Sequence, residues 1–333
     1  MSIKGRFERF TRNIRPTDEH FEEATRQIEY MIDRLKSRVS RDGAFTLEKI
    51  LRAGSNAKHT SLLKTEENLF DVDLGAYFSG QGATKEHLDG LLEFTRDQLV
   101  SIYPTKDKKQ FEILKSAVRV KFVSGIQLWV DIAPIISDAS LNIENGGWLP
   151  RPDEWRLTSV TCHNDFVRGR SANSGEGEGP VKFNRLVRMI KWWNNRQGKF
   201  VQPSIFCELI AAAALDGNGV TDEWQSSLRQ VFLFLRKHQL KQPILFPDYY
   251  DPRTVKLPSH PIIVLDSVNP SNNITSLWTE STRRDFMERV EEAYEAMLDA
   301  KSAELDDDED EAVEHWCRVF GDAFRSLSEP EEE

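Results

Sequence analysis

Cysteine is scarce. Cys162, Cys207 and Cys317 are the only three in 333 residues. They are scattered and odd in number, which excludes a zinc-finger spacing and reads as reduced, cytosolic thiols. Long apolar runs are missing too: no stretch of about 18 or more apolar residues occurs, so no transmembrane helix is expected. The basic stretch from Met1 to Arg15 lacks an apolar segment of the signal-peptide kind. A cytoplasmic protein without a membrane partner is the expectation.

Basic charge is short as well. Lys plus Arg number 44 against 54 Asp plus Glu, a net of −10. The excess is local, because Ser302 to Glu333 holds 13 acidic residues and two arginines, and the rest of the chain sums to about +1. Polynucleotide binders draw most of their non-specific affinity from a broad basic surface. A nearly neutral body therefore argues against an obligatory DNA or RNA partner.

What is present describes a globular protein, with 39% hydrophobic and 29% charged residues. The length suffices for two lobes with a cleft between them. The informative stretch begins at Ala53-Gly54-Ser55-Asn56 and continues to Asp71-Val72-Asp73-Leu74. Alternate residues of a strand share a face, so Asp71 and Asp73 point one way and Val72 and Leu74 the other. Neighbouring carboxylates repel unless a cation sits between them. Oxygen-rich sites of this kind suit Mg²⁺, completed by substrate phosphates. A third aspartate, Asp131, lies in the apolar run Leu128-Trp129-Val130-Asp131-Ile132, where an unpaired charge is expensive. Taken alone, a D-x-D is more often a pair of ordinary strand-end aspartates. With Gly54-Ser55 ahead and Asp131 behind, a two-metal phosphoryl-transfer site is the better reading, its ions roughly 3.5–4 Å apart.

This combination resembles the nucleotidyltransferase superfamily of DNA polymerase β, poly(A) polymerases, oligoadenylate synthases and cyclic GMP-AMP synthase. The resemblance implies that Gly54 and Ser55 bind a donor triphosphate. It also implies that Asp71 and Asp73 bind both metals, and that Asp131 binds the catalytic one. The cofactor it implies is a pair of Mg²⁺ ions, with Mn²⁺ as the alternative.

Helical spacing of Phe21, Ile28, Ile32, Leu35 and Val39 predicts a long helix after Pro16-Thr17-Asp18, broken at Arg41-Asp42-Gly43-Ala44. A short helix is expected over Asn56 to Leu63 and another from Thr84 to Ser101. Two strands follow, Ala117 to Val123 and Ile126 to Ile136, turning at Ser124-Gly125. Arg119 and Lys121 alternate with Val118, Val120 and Phe122, so one sheet face is open. His163 to Pro180 reads as a loop in which Arg168 and Arg170 are either solvated or phosphate contacts. Helices are expected at Val181–Gln197, Pro203–Leu215, Trp224–His238, Thr279–Ala300 and Glu311–Leu327. Between the last two, Asp306 to Asp310 reads as an extended, solvated stretch.

The helical half is similar to oligoadenylate synthase and the bacterial cyclases. Lys191, in Met189-Ile190-Lys191-Trp192-Trp193, matches a lysine that contacts donor triphosphate; a surface lysine is the plain alternative. Ser204, in Pro203-Ser204-Ile205-Phe206, matches a phosphate- or ribose-binding serine, while Ile205 stands where a base-stacking tyrosine is common. Glu208, Asp266 and Asn272 match residues given structural roles, and Ser267 replaces a usual proline. Together with the absent zinc insertion, the resemblance points to the CD-NTases, the signal-making enzymes of CBASS anti-phage defence. It implies an α+β fold: a polymerase β-like core over 1–165 with a spine helix, a helical lobe over 166–328, and an acidic, disordered tail over 329–333. The implied activity is Mg²⁺-dependent synthesis of a cyclic di- or trinucleotide from ribonucleoside triphosphates. CBASS regulatory or effector proteins are the implied partners, with the C-terminal tail as one contact. Two rivals stand beside it: a template-independent transferase acting on tRNA, other RNA or protein, and a non-catalytic nucleotide-binding scaffold.

Overall fold

The structure is a computed structural model that describes residues 1–42, 45–63, 69–84, 88–123, 127–151, 154–174, 181–198 and 203–329. The chain opens with helices α1 (Ile3–Asn13) and α2 (Asp18–Asp42). Strand β1 (Thr46–Ala53) passes through one helical turn, α3 (Gly54–Ala57), before β2 (Leu69–Ser79). Helix α4 (Leu88–Ile102) precedes β3 (Phe111–Ile113), β4 (Val118–Phe122), β5 (Gln127–Ser137), β6 (Gly147–Arg151) and β7 (Glu154–Thr158). The rest is helical: α5 (Val160–Ala172), α6 (Phe183–Arg196), α7 (Ile205–Leu215), α8 (Trp224–His238), α9 (Glu280–Leu305), α10 (Glu309–Phe320) and α11 (Ala323–Ser328). Among the described residues no helix is long and apolar enough to cross a membrane.

Two compact units divide the chain, Pro16–Asp165 and Met1–Arg15 with Phe166–Glu333, the boundary falling inside α5. The first is built on a sheet ordered β1-β2-β5-β4-β3, with β6 joined to β5 and β7 to β6. Only β2 and β5 run parallel; the other pairs are antiparallel. Strict alternation buries Val72, Leu74, Val118, Val120, Val130 and Ile132 in a core shared with Ile28, Met31 and Leu35 of α2 and Leu91 and Leu99 of α4. The opposite face of β2, β5 and β4 carries the polar side chains.

The second unit differs from expectation at its start. Met1 to Arg15 belongs with the helical unit, because α1 buries Phe7 and Phe10 against Trp316, Phe320 and Phe324. The expected loop from His163 is also corrected. Residues Val160 to Ala172 form a helix whose start is held by Ser159 Oγ, which accepts from Cys162 N at 3.1 Å. Its polar sequence hides the helix because only Val160, Cys162, Asn164, Phe166 and Val167 turn inward. The acidic run is a tight turn, not an extended stretch. Asp307 is left-handed at φ 58°, and Asp308 caps α10 by accepting from Glu311 N at 2.9 Å. Glu309, Asp310 and Glu311 then sit in the first helical turn, where the helix dipole favours negative charge. The expected helix through Leu327 breaks at Gly321, φ 81°, into α10 and α11. Gly43-Ala44, the Ser124-Gly125 turn, residues 175–180 and residues 330–333 lie outside the described residues.

Candidate active site

Asp71 and Asp73 leave β2 on the face opposite buried Val72 and Leu74. The parallel register sets Asp73 beside Asp131 and Asp71 beside Trp129. Registered neighbours on adjacent strands project from the same face, with strands about 4.8 Å apart. The three aspartates therefore share one face. On the other side of β5, antiparallel β4 sets Arg119 beside Asp131 and Lys121 beside Trp129. Arg119 donates from Nε and Nη2 to the two carboxylate oxygens of Asp131 at 2.7 and 2.8 Å. Those bonds raise the Arg119 pKa above its ordinary value, and Asp71 and Glu112 add to the rise against partial burial. Lys121 in turn pairs with Glu112 at 2.9 Å.

Register also explains the glycine turn. Ala53, the last residue of β1, stands opposite Asp73, so the chain enters the turn directly against that carboxylate. Gly54 is left-handed at φ 66°, and a Cβ there would lie 1.9 Å from Asp73 Oδ2. Only glycine meets both demands. Ser55 follows, its carbonyl accepting from Thr60 N at 2.9 Å and its hydroxyl from Ser61 Oγ at 3.2 Å. The expected helix over Asn56 to Leu63 is shortened to the single turn ending at Ala57, because His59 is left-handed at φ 56° and reverses the chain.

Gly54→Ala is expected to cost about 2 kcal/mol or more, adding left-handed strain to overpacking. It should also displace Asp73, so the activity of the site should fall further than the shift in melting temperature accounts for. An alanine variant with wild-type turnover would show that the close approach is irrelevant to the site.

The donor set suits a hard divalent cation: three carboxylates on one face, with a side-chain-free turn against the middle one. Asp71, Asp73 and Asp131 are the residues that would hold it. Among the described residues no three His, Cys, Asp or Glu side chains already converge as a cage. Asp131 is instead turned onto Arg119.

Lys191 and Ser204 belong to the helical unit. Lys191 is not a surface lysine. It is 4% exposed and donates to Glu208, 2% exposed, at 2.8 Å across α6 and α7. Their neighbours in sequence on both helices are buried as well, Ile190, Phe206 and Leu209 among them. Ser204 is exposed at the start of α7, and its side chain makes no capping bond there. Arg170 is occupied elsewhere, forked onto Asp216 at 2.7–2.8 Å and Asp248 at 2.9–3.1 Å and stacked on Phe166, which makes it a structural group. Arg168 is exposed on α5. Asp266 orders its loop by accepting from Val268 N at 2.8 Å, Asn269 N at 3.2 Å and Asn272 Nδ2 at 3.0 Å.

Arg119 is the site residue that sequence reasoning passed over. The signal was present, since a hairpin folded about Gly125 pairs residue 119 with residue 131, as found.

No protein-family model matches the chain. The CBASS oligonucleotide cyclase CdnC of Escherichia coli (strain KTE188) is 32% identical over 301 residues, 90% of each chain. A cyclic AMP-AMP-AMP synthase of Escherichia coli (strain MS 115-1) is 29% identical over 304 residues, again 90% of each chain. The solved structure of E. coli MS115-1 CdnC superposes with a TM-score of 0.80 both with ATP, at 26% identity, and in a HORMA-deltaN complex, at 27%. Each superposition covers 96% of this chain and 98% of the other. A Gly-Ser turn packed on a strand aspartate, three aspartates on one face and a chain-long match to these cyclases have one explanation: the chain is a nucleotidyltransferase belonging to the CD-NTases, the family of the CBASS oligonucleotide cyclases.

Proposed function

We propose that the chain condenses ribonucleoside triphosphates into a cyclic di- or trinucleotide, releasing one pyrophosphate per linkage, as the signal of a CBASS defence system. The observation that carries the chemistry is the register pairing Asp73 with Asp131 while Gly54 abuts Asp73. Asp71, Asp73 and Asp131 would hold Mg²⁺ ions, which when bound would polarise phosphoryl oxygens and lower the pKa of an attacking hydroxyl. Gly54 and Ser55 seat the donor triphosphate, and Lys191 and Ser204 contribute from the helical unit. A hydroxyl of a second ribose attacks the donor α-phosphorus, pyrophosphate leaves, and the same step closes the ring. The cyclic AMP-AMP-AMP synthase relative favours the trinucleotide and adenine. By likeness to the CdnC structure in complex with HORMA-deltaN, a HORMA-domain protein is the proposed regulatory partner; the cytoplasm, which supplies nucleoside triphosphates, is the proposed site of action.

Purified chain incubated with labelled nucleoside triphosphates and Mg²⁺ tests the proposal. A phosphatase-resistant product whose mass is that of a cyclic oligonucleotide is expected. Labelling only of added RNA, or of protein, would select the rival transferase.

A further inference from the structure

Both oxygens of Asp131 are engaged by a single fork. Arg119 donates Nε to one and Nη2 to the other at 2.7 and 2.8 Å, the side chains being 20% and 17% exposed. The guanidinium also lies 4.3 Å from the centre of the Trp129 ring, whose residue stands beside Asp71 in register. Arg119 is therefore fixed on one side by a charge-assisted pair and on the other by an aromatic face. Such a fork spends its charge on the carboxylate that a divalent cation would need. It also ties that carboxylate to β4.

We propose that Arg119 is a positioning residue that acts as the counter-ion of Asp131 and competes with a divalent cation for it. The inference rests on the reading of Asp131 as a metal ligand. A cation entering beside Asp71 and Asp73 weakens at least one arm of the fork, and Trp129 keeps the guanidinium from swinging away. Arg119 thereby raises the concentration of divalent ion at which the site fills. It also stabilises a strand position that would otherwise place like charges side by side.

The test is calorimetric titration of the full chain with Mn²⁺, without nucleotide, after circular dichroism confirms folding. Arg119→Gln should bind Mn²⁺ roughly tenfold more tightly than wild type, about 1.4 kcal/mol. Arg119→Lys keeps the charge but loses the fork, so it should tighten by roughly threefold. Asp131→Asn should weaken binding. Should Arg119→Gln not fold, Trp129→Leu, which removes the ring behind the guanidinium, should shift affinity in the same direction. If Asp131→Asn weakens binding but neither arginine variant tightens it, the competition is refuted and the ligand reading survives. If Gln tightens binding and Lys matches wild type, bulk charge explains the effect and the fork is overturned. If Asp131→Asn binds like wild type, the ligand reading fails and takes the inference with it.

Discussion

Asp73→Asn is expected to slow nucleotide joining by about a thousandfold or more while leaving the fold intact. Asp73 sits at the centre of the site, registered with Asp131 across the parallel pair and touching the Gly54 turn. An amide of the same shape keeps that packing but withdraws one of the three anionic ligands proposed for the metal. Metal-ion stabilisation of transferring phosphoryl groups is worth several kcal/mol, and each 1.36 kcal/mol is about tenfold in rate. Stability should stay within about 1 kcal/mol of wild type, since losing one of several neighbouring like charges relieves repulsion. Initial rates of pyrophosphate release, read beside a melting curve, check both halves. A rate within tenfold of wild type would remove Asp73 from the chemistry and return the scaffold reading.

Glu208→Ala should destabilise the helical unit by about 3–5 kcal/mol, because it removes the carboxylate that faces the buried Lys191 ammonium. The paired change Lys191→Met with Glu208→Met should restore most of that loss, since a buried ion pair contributes little net stability over apolar residues of similar volume. Thermal unfolding monitored by circular dichroism measures the two shifts. The double variant then separates structure from substrate binding. If Lys191 leaves Glu208 to meet donor phosphates, the restored protein should show a KM for nucleoside triphosphate raised about tenfold or more, the loss of a charge-assisted contact. An unchanged KM would make Lys191 a packing residue. A double variant as unstable as Glu208→Ala would mean that the pair is required for the fold itself.

Legibility in the sequence tracked the length scale of the physics. Asp71 and Asp73 could be placed because strand alternation is a property of adjacent residues, and Val72 and Leu74 declare which face is buried. Gly54 was legible as a turn residue, but not its reason, since only pairing of Ala53 with Asp73 brings the backbone against the carboxylate. Lys191 reads as a donor-triphosphate contact by resemblance, with a surface lysine as the plain alternative, and neither reading reports its burial. Its burial follows from Glu208 arriving on α7, which no periodicity within α6 reports. Helix α5 is hard to read because its inward face is short and includes Asn164 while Asp165 and Arg168 are exposed, and Arg170 finds its carboxylates on Asp216 and Asp248, far along the chain. Helix α1 was missed because Phe7 and Phe10 look like isolated apolar residues until Trp316 and Phe324 cover them.

The lone parallel pair has a consequence for the order in which the protein assembles. A two-residue turn can close an antiparallel hairpin, but β2 and β5 run the same way and need a long crossover between Ser79 and Gln127. Helix α4 and strands β3 and β4 occupy that crossover, so Asp73 meets Asp131 only once a large loop has been closed. Arg119 and Asp131, by contrast, lie on a local hairpin and can find each other first. The shorter loop makes the Arg119–Asp131 pairing the cheaper one to close, and the meeting of Asp131 with Asp73 the costlier.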